Sequence, residues 1–302
     1  MKHDLEEWIT EAIMSETPVV IVEGHDDIQF YEKLVNELGK EITVDAVENI
    51  EGYDGGARGV LECIKDLQPK LKERQENIKY ILGIIDRDAR FYRNEIPDHL
   101  GLLILEYYSF ESHFITRQNL IEAIPSLTHV SRRHVDANAL THIEEDLYNN
   151  EFKDLYYISL EALKNACQKD YVGEVSYKEE PGKIFNEPNK SVLMGKLSAK
   201  KLDLDKFAQS KNIVFGDLKK FARGKWILYI YSKYLNEKIK KMKNACSNGE
   251  ITKCNFCKAG AHDKCLWKVK TNFQLGHVKV IITNYIDETE IKYIKDRIRL
   301  LA

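Results

Sequence analysis

The feature that most constrains the fold of this chain is a pair of short apolar runs that each end in acidic residues. Residues 19–22 read VVIV and are followed by EGHDD, while residues 81–85 read ILGII and are followed by DRD. Continuous apolar runs of this length are typical of parallel strands that are buried on both faces. Because open α/β sheets bind ligands at the carboxyl ends of their strands, we expect the acidic side chains to converge there.

The first part of the chain alternates between strand and helix patterns. Helices are predicted over residues 26–38, where Gly39 follows in the usual C-terminal position, and over residues 59–71. Strands are predicted at residues 19–22, 42–47, 79–85 and 102–105. This alternation indicates a Rossmann-like α/β fold with a mostly parallel sheet and helices on both faces.

From residue 115 onward the pattern is mainly helical. A loop that contains several Gly and Pro residues is predicted over residues 171–190, and a short strand over residues 278–282. Helices are predicted over residues 137–148, 155–169, 202–208, 226–243 and 286–300. We therefore predict two domains, an α/β domain over residues 1–115 and a mainly helical domain over residues 116–302.

Four carboxylates follow two strands of the predicted sheet: Glu23, Asp27, Asp86 and Asp88. Converging carboxylates repel one another, and a hard divalent cation such as Mg²⁺ or Mn²⁺ relieves that repulsion through oxygen ligands. A metal held in this way activates water and polarises phosphoryl groups, so we predict a metal site for phosphate chemistry. Two other interpretations stay open. Asp26 or Asp27 caps the following helix, and Asp86 with Asp88 forms a phosphoacceptor site or an ordinary acidic loop.

A second cluster of metal-binding residue types lies within residues 246–266. Its spacing, C-x2-C-x4-H-x2-C, presents four soft ligands, and Zn²⁺ favours such sets in closed tetrahedral sites. We therefore predict a small zinc-knuckle-like insertion with a structural Zn²⁺ and four ligands: Cys254, Cys257, His262 and Cys265. Cys246 is the alternative to His262 as the fourth ligand. The other interpretations are free thiols or a redox dithiol, and the dithiol lacks the strand-CxxC-helix context of thioredoxin-like proteins.

Charge is distributed unevenly along the chain. Residues 190–270 contain 20 Lys or Arg and 6 Asp or Glu, whereas the formal net charge of the whole chain is −3. A basic segment of this kind is the usual electrostatic footprint of a protein that binds nucleic acid or another polyanion. The alternative is that these lysines attract the acidic part of the chain or solvate exposed helices.

The composition excludes several classes of protein. Hydrophobic residues make up 43% and charged residues 31% of the chain, and Pro is scarce, which argues against disorder. The sequence contains no apolar run long enough to span a membrane, and its acidic, amphipathic start lacks the features of a signal peptide. We therefore expect a cytoplasmic protein that does not associate with membranes. Six Cys in a chain of this length do not indicate a disulfide scaffold.

The two acidic motifs resemble those of the Toprim fold, which topoisomerases, bacterial primases and OLD-type nucleases share. In that family a Glu follows the first strand and a DxD motif follows the third, which correspond here to Glu23, Asp86 and Asp88. The EGxxD spacing, which ends at Asp27, is similar to the OLD-type branch. The strings VEGHDDIQFYEKL, GIIDRDARF and LEYYSFESHF resemble the Toprim effectors of PARIS-type anti-phage systems, and this resemblance covers residues 19–115.

This resemblance implies a Toprim nuclease that hydrolyses phosphodiester bonds with Mg²⁺ held by the four carboxylates. It also implies that Glu111, in the YSFES string, lies near the site and that Lys225, in a Gly-Lys pair, approaches the scissile phosphate. The residues before this pair do not match the phosphate-binding P-loop. Glu111 as a surface or capping acid and Lys225 as a solvated lysine are the alternatives.

The resemblance further implies a biological role and partners. PARIS-type effectors are toxic nucleases, so the expected substrate is RNA, in particular tRNA, and the expected partner is an ABC-type ATPase that holds the effector inactive until infection. Toprim nucleases often act as dimers, so a homodimer is expected for the active form. Two rival interpretations stay open: an OLD-type DNA nuclease, and a non-catalytic adaptor that binds nucleic acid or the ATPase.

Overall fold

The computed structural model of the protein describes residues 2–302. The chain divides into two compact units. The first comprises the residues up to Ser109 together with Glu288–Ala302, and the second comprises Phe110–Asp287. The sequence predicted a division after residue 115 that left the C-terminal segment in the second domain. In the structure this segment belongs to the first unit instead.

The first unit contains a four-stranded, all-parallel sheet, which confirms the predicted α/β architecture of this part of the chain. The strands are β1 (Val19–Val22), β2 (Thr43–Ala46), β3 (Ile81–Ile85) and β4 (Leu102–Ile104), in the order β2-β1-β3-β4. The register pairs Ile21 with Gly83 and Ile85 with Ile104. The strands β1 and β3 are therefore central neighbours, and their carboxyl ends lie side by side at one edge of the sheet.

Helices complete the first unit. They are α1 (Leu5–Met14), α2 (His25–Leu38), α3 (Ala57–Glu73) and, from the C-terminal segment, α13 (Lys292–Arg299). Apolar residues of α1 and α3 form one core with the side chains of Ile21 and Ile85, while α2 contacts β1 and β2. Every residue of β1 and β3 is buried, which explains why both strands appear as uninterrupted apolar runs in the sequence.

Two glycines permit close packing around α3. A Cβ atom on Gly59 would lie 1.8 Å from the carbonyl oxygen of Asp54, and a Cβ atom on Gly83 would lie 2.6 Å from Cγ1 of Ile64. Real side chains do not tolerate such approaches, because protein interiors are already close-packed. These positions therefore require glycine for reasons of space.

The C-terminal segment is held in the first unit by buried polar contacts. The side chain of Lys295 is 7% exposed, and its Nζ lies 2.7 Å from carboxylate oxygens of both Glu37 and Glu288. At the end of the chain, the backbone N–H of Ala302 donates to the carbonyl of Lys79 (2.9 Å). These partners are far apart in sequence, and for that reason the helical periodicity of the segment did not reveal where it packs.

The second unit is mainly helical, as predicted. Its helices are α4 (Arg117–Leu127), α5 (Ala137–Asp146), α6 (Phe152–Cys167), α7 (Pro181–Ile184), α8 (Asn189–Ser210), α9 (Leu218–Phe221), α10 (Gly224–Asn248), α11 (Asn255–Lys258) and α12 (Leu275–Asn284). A π-helical turn, Leu147–Glu151, joins α5 directly to α6. The longest helix, α10, extends the predicted helix at both ends.

The strand predicted over residues 278–282 is wrong, because this segment belongs to α12. Val278 and Ile282 are both fully buried, whereas Val280 between them is 58% exposed. Buried residues four positions apart lie on one face of a helix, and the exposed residue between them lies on the other. The β-branched residues of the segment suggested a strand, but tertiary packing overrides that weak preference.

Among residues 2–302, no helix combines the length and the apolar character that a membrane span needs.

Candidate functional site

The predicted convergence of acidic residues occurs at the carboxyl ends of β1 and β3. Glu23 directly follows β1 and Asp86 directly follows β3, and the two strands are parallel neighbours. The side-chain oxygen Oε1 of Glu23 accepts a hydrogen bond from the backbone N–H of Asp86 at 2.7 Å. The backbone carbonyl of Glu23 accepts a second hydrogen bond from Gly56 N–H, also at 2.7 Å. Glu23 therefore links the two strand ends to the loop that precedes α3.

The environment of Glu23 favours its protonated form. Burial is the main cause, and the negative charges of Asp27 and Asp88 add to it, so the pKa of Glu23 rises to about 7. The hydrogen bond from Asp86 N–H and the positive charge of Arg90 act in the opposite direction but are outweighed. The charges of Asp27 and Asp88 therefore act on Glu23 in the same direction as its burial.

Asp88 is held by Arg90. The backbone of Asp88 has a φ of +41°, in the left-handed region that non-glycine residues rarely adopt. Its carboxylate accepts hydrogen bonds from the backbone N–H of Arg90 at 2.5 Å and from the Arg90 guanidinium at 2.7 Å. Its own backbone N–H donates to the carbonyl of Tyr108 at 3.1 Å. The second Asp of the DxD motif is therefore fixed by several contacts in a tight turn.

Asp27 caps the N-terminus of α2, as one of the alternative interpretations proposed. The helix has Gly24 as its N-cap, and Oδ2 of Asp27 accepts a hydrogen bond from Gly24 N–H at 3.2 Å. Asp26 is exposed. The capping role of Asp27 does not remove it from the acidic cluster, because its charge is one of the causes that raise the pKa of Glu23.

Three further residues around the acidic cluster were missed by sequence reasoning. Arg90 is 8% exposed, and burial opposes its charge, but the hydrogen bond and charge of Asp88, with the charges of Glu23 and Asp86, raise its pKa overall. Tyr31 is 3% exposed, and burial together with the nearby acids raises its pKa. Tyr293 accepts a hydrogen bond from Glu106 N–H at 3.0 Å. Arg90 follows the DxD motif by two positions, which was the available signal. Tyr31 and Tyr293 lie in predicted helices, and nothing in their local sequence indicated the acidic cluster.

Glu111 and Lys225 belong to the second unit. Glu111 is 7% exposed and lies in a 3₁₀-helical turn, Phe110–Phe114, so it is not the surface acid that one alternative proposed. Lys225 lies in the first turn of α10, next to the buried Gly224, and its side chain is exposed. Their predicted roles toward a phosphate remain predictions.

The cysteine cluster predicted from the sequence forms in the second unit, with one change of ligand. The thiol sulfurs of Cys246, Cys254, Cys257 and Cys265 all lie within 4.8 Å of one another, which is compatible with a structural zinc site. His262 is exposed and is not part of this group. The choice of His262 as fourth ligand is therefore wrong: the C-terminal part of α10 brings Cys246 to the other three, whereas the turn after α11 leaves the imidazole at the surface.

The acidic cluster is less compact than the cysteine cluster. Among residues 2–302, one group of three or more His, Cys, Asp or Glu side chains is arranged so that it could hold a metal ion. This group consists of the four cysteines, whose sulfurs all lie within 4.8 Å of one another. Two of the carboxylates are instead engaged by protein groups: Glu23 accepts a hydrogen bond from Asp86 N–H, and Asp88 pairs with Arg90. A magnesium site at this position is therefore a proposal that rests on residue types, location and charge.

The basic segment, residues 190–270, is partly neutralised inside the second unit. Lys190 Nζ lies 2.9 Å from Glu151, and Lys200 Nζ lies 3.0 Å from the fully buried carboxylate of Glu161. This pairing agrees with the alternative in which the lysines attract acidic residues earlier in the chain. Fewer lysines than the sequence suggested are therefore available to a polyanion.

Comparison of the sequence with protein-family models found no match, and a search of curated proteins found none either.

Proposed function

We propose that the protein is a metal-dependent phosphodiesterase with a Toprim-type site formed by Glu23, Asp27, Asp86 and Asp88. The observation that carries this proposal is the 2.7 Å contact between Glu23 Oε1 and Asp86 N, which joins the ends of two neighbouring parallel strands. Burial and the nearby charges of Asp27 and Asp88 raise the pKa of Glu23 to about 7. Accumulated negative charge at the carboxyl edge of a parallel sheet is typical of a site for a hard cation.

The residue types fit Mg²⁺ or Mn²⁺. Carboxylate oxygens are the hard ligands that these ions prefer. Arg90 offsets one negative charge in the cluster, through its 2.7 Å contact with Asp88, so the ionised cluster keeps a net negative charge. That remaining charge supports the binding of a divalent cation.

Each residue has a proposed task in phosphodiester hydrolysis. A divalent cation bound here supplies Lewis-acid polarisation of a phosphoryl oxygen and lowers the pKa of a bound water. Asp86 and Asp88 are the proposed ligands, and Asp27 adds a further carboxylate. Glu23, with a pKa of about 7, can accept a proton from water at its second oxygen near neutral pH, as a general base does.

Only the resemblance described above supports a role for Lys225 and Glu111, which belong to the second unit. A lysine ammonium is a suitable point charge for the oxyanion that develops at phosphorus, and the Lys225 side chain is exposed. Glu111 is assigned to the site only by the resemblance described above. The resemblance also supports RNA, in particular tRNA, as the substrate, an ABC-type ATPase as the regulating partner and a dimer as the active form.

The first test is cleavage of nucleic acid in a bacterial host. The protein is expressed alone and together with any ABC-type ATPase encoded beside its gene, and total RNA and plasmid DNA are examined on gels. We expect discrete tRNA fragments with the wild type, and loss of cleavage by about 100-fold or more in Glu23→Gln and Asp86→Asn. Asp26→Asn, a neighbouring exposed acid, is the matched control and should cleave like wild type.

Binding of the cation is measured separately from cleavage. A ligand that binds only the folded state raises the melting temperature as its concentration rises. We expect Mg²⁺ or Mn²⁺ to raise the melting temperature of the wild type and of Asp26→Asn, but not of Asp86→Asn.

In the cleavage assay, degraded plasmid with intact RNA would identify a DNA nuclease of the OLD type in place of an RNase.

A non-catalytic adaptor is the second candidate function, and one observation favours it. Glu23 and Asp88 already have protein partners in the arrangement described here, the backbone of Asp86 and the guanidinium of Arg90. Carboxylates that already accept hydrogen bonds from the protein can stabilise the fold without binding a metal ion. Two results together would support the adaptor: intact RNA and DNA in cells that express the protein with the ATPase, and no shift of the wild-type melting temperature by Mg²⁺ or Mn²⁺.

A further inference from the structure

We propose that Cys246, Cys254, Cys257 and Cys265 bind one Zn²⁺ ion as a closed tetrathiolate centre, which fastens the C-terminal end of α10 to the segment before α12. The centre is structural, and it is independent of the acidic residues of the first unit. Three observations support it: the spacing of the sulfurs, their burial, and the backbone N–H groups that point at them.

The spacing of the sulfurs matches a tetrahedral zinc site. With zinc–sulfur bonds of about 2.3 Å, neighbouring sulfurs in a tetrahedron lie about 3.8 Å apart. The sulfurs of Cys254 and Cys265 are 3.9 Å apart, and all four sulfurs lie within 4.8 Å of one another. A disulfide would need about 2.05 Å, and all the cysteines are free thiols.

The ligand set is closed. Cys246, Cys257 and Cys265 are each at most 4% exposed, and Cys254 is partly buried. Four thiolates complete the tetrahedral coordination of Zn²⁺ and leave no position for water or substrate, which is the arrangement of structural rather than catalytic zinc. Tetrahedral sets of four sulfurs select zinc or iron over Mg²⁺ and Ca²⁺.

Backbone donors are directed at the sulfurs. The N–H of Cys254 lies 3.3 Å from the sulfur of Cys246. The sulfur of Cys254 accepts from the backbone N–H groups of Leu266 and Cys257, and the sulfur of Cys265 accepts from that of Trp267. Donors of this kind around the ligand atoms orient the ligands of a metal site.

The position of the centre in the second unit shows what it stabilises. Cys246 lies near the end of α10, 21 positions after Lys225, which corresponds to about 32 Å along the helix at 1.5 Å per residue. After Cys265, the chain pairs with the end of α4, where Lys270 N–H donates to Leu127 O at 3.0 Å and Thr128 bridges to Val269. The ion would therefore join α10 to a segment that also anchors α4, far along the helix from Lys225.

The proposal is tested by elemental analysis of the full chain, purified without chelators. We expect about one zinc per wild-type chain, and loss of most of it in Cys246→Ser after dialysis. His262→Ala and Cys167→Ser are the matched controls and should keep their zinc. Zinc lost from His262→Ala and kept by Cys246→Ser would overturn this ligand set, and iron in place of zinc would overturn the identity of the metal.

A second measurement does not depend on how well a variant folds. The wild type is titrated with an organic mercurial while free zinc is followed with a colorimetric indicator. We expect one zinc to be released as four thiols react, with the two remaining cysteines reacting without further release. No zinc release at all, or a chain that holds no zinc above background when purified, would overturn the proposal. Asp86→Asn should keep its zinc, which separates this centre from the proposed nuclease site.

Discussion

At the scale of single residues, Glu23 has the most informative environment. Its carboxyl group lies just after β1 and accepts a hydrogen bond from the backbone N–H of Asp86, which directly follows β3. Burial and neighbouring acids raise its pKa from 4.5 to about 7. A group with a raised pKa makes the stability of the fold depend on pH over the interval between the two values.

We predict that Glu23→Gln changes this pH dependence. Between pH 4.5 and pH 7 the folded wild type keeps a proton that the unfolded chain has released. The stability contributed by Glu23 is therefore fully present below pH 4.5 and is lost as the pH rises through about 7, by on the order of 3 kcal/mol. Gln keeps the acceptor for Asp86 N–H but does not titrate. The free energy of unfolding of Glu23→Gln should therefore increase relative to that of the wild type as the pH rises.

The measurement is urea unfolding of both proteins at several pH values without divalent cations. The difference in the free energy of unfolding between Glu23→Gln and wild type isolates the effect of Glu23 from other titrating groups. A difference that stays constant from pH 4.5 to pH 8 would show that Glu23 titrates normally in the folded protein.

A second prediction concerns Arg90, whose positive charge lies within the acidic cluster. Arg90→Met leaves the carboxylate of Asp88 without its guanidinium partner, and the side chain of Arg90 is only 10% exposed. We expect a loss of about 2–3 kcal/mol in the free energy of unfolding, because an uncompensated charge stays partly buried.

The matched control for Arg90→Met is Arg93→Met. The Arg93 guanidinium pairs with Glu95 at 2.6 Å, but the carboxylate of Glu95 is 56% exposed. Exposed pairs of this kind contribute less than about 1 kcal/mol. Equal losses for the two variants in urea unfolding at pH 7.5 would contradict the special role of Arg90.

At the scale of secondary-structure elements, the position of α3 depends on glycines that leave no room for a side chain. Gly59 lies where an added Cβ would meet the carbonyl oxygen of Asp54 at 1.8 Å. A helix displaced at this point would also move the loop whose Gly56 N–H binds the backbone of Glu23. The packing of α3 and the geometry of the acidic cluster are therefore linked.

We predict opposite effects for two Gly→Ala substitutions in helices. Gly59→Ala should lower the free energy of unfolding by about 2–3 kcal/mol or more, because the backbone must shift to admit the new atom. Gly195→Ala, in α8, meets no atom within 4 Å and should raise it by about 0.5–1 kcal/mol, since alanine restricts the unfolded chain. Thermal unfolding of both variants checks this, and a neutral Gly59→Ala would contradict the packing argument.

At the scale of the whole molecule, the chain returns to its first unit at its end. Ile294, Ile298 and Leu301 are each at most 2% exposed there. Burial of such side chains contributes about 1.5–3 kcal/mol each, so the C-terminal segment accounts for a large share of the stability of the first unit.

We therefore predict that a chain ending at Asp287 has an unstable first unit. Hydrogen exchange in β1 and β3 should become faster than in the full chain by at least tenfold, because the fold loses the helix that contacts α2. Lys292→Ala, which removes an exposed ion pair on the same helix, is the control and should leave these rates unchanged. Unaltered protection of both strands in the truncated chain would contradict this prediction.

Much of the first unit follows from local sequence alone. Val19–Val22 and Ile81–Ile85 appear as apolar runs because both faces of a central parallel strand are buried. The acidic residues that follow them converge because parallel strands end at the same edge of the sheet. For the same reason the meeting of Glu23 and Asp86 could be predicted without a structure, and so could a cysteine-rich segment able to form a metal site.

The tertiary structure decided which distant residues join these local features. It placed Cys246 rather than His262 with the other three cysteines, returned Glu288–Ala302 to the first unit, and set Arg90 against Asp88. It also made α12 a helix, although its β-branched residues suggested a strand. Periodicity and turn residues report interactions over a few positions, whereas these outcomes depend on buried surfaces and charge pairs that exist only after the chain has folded.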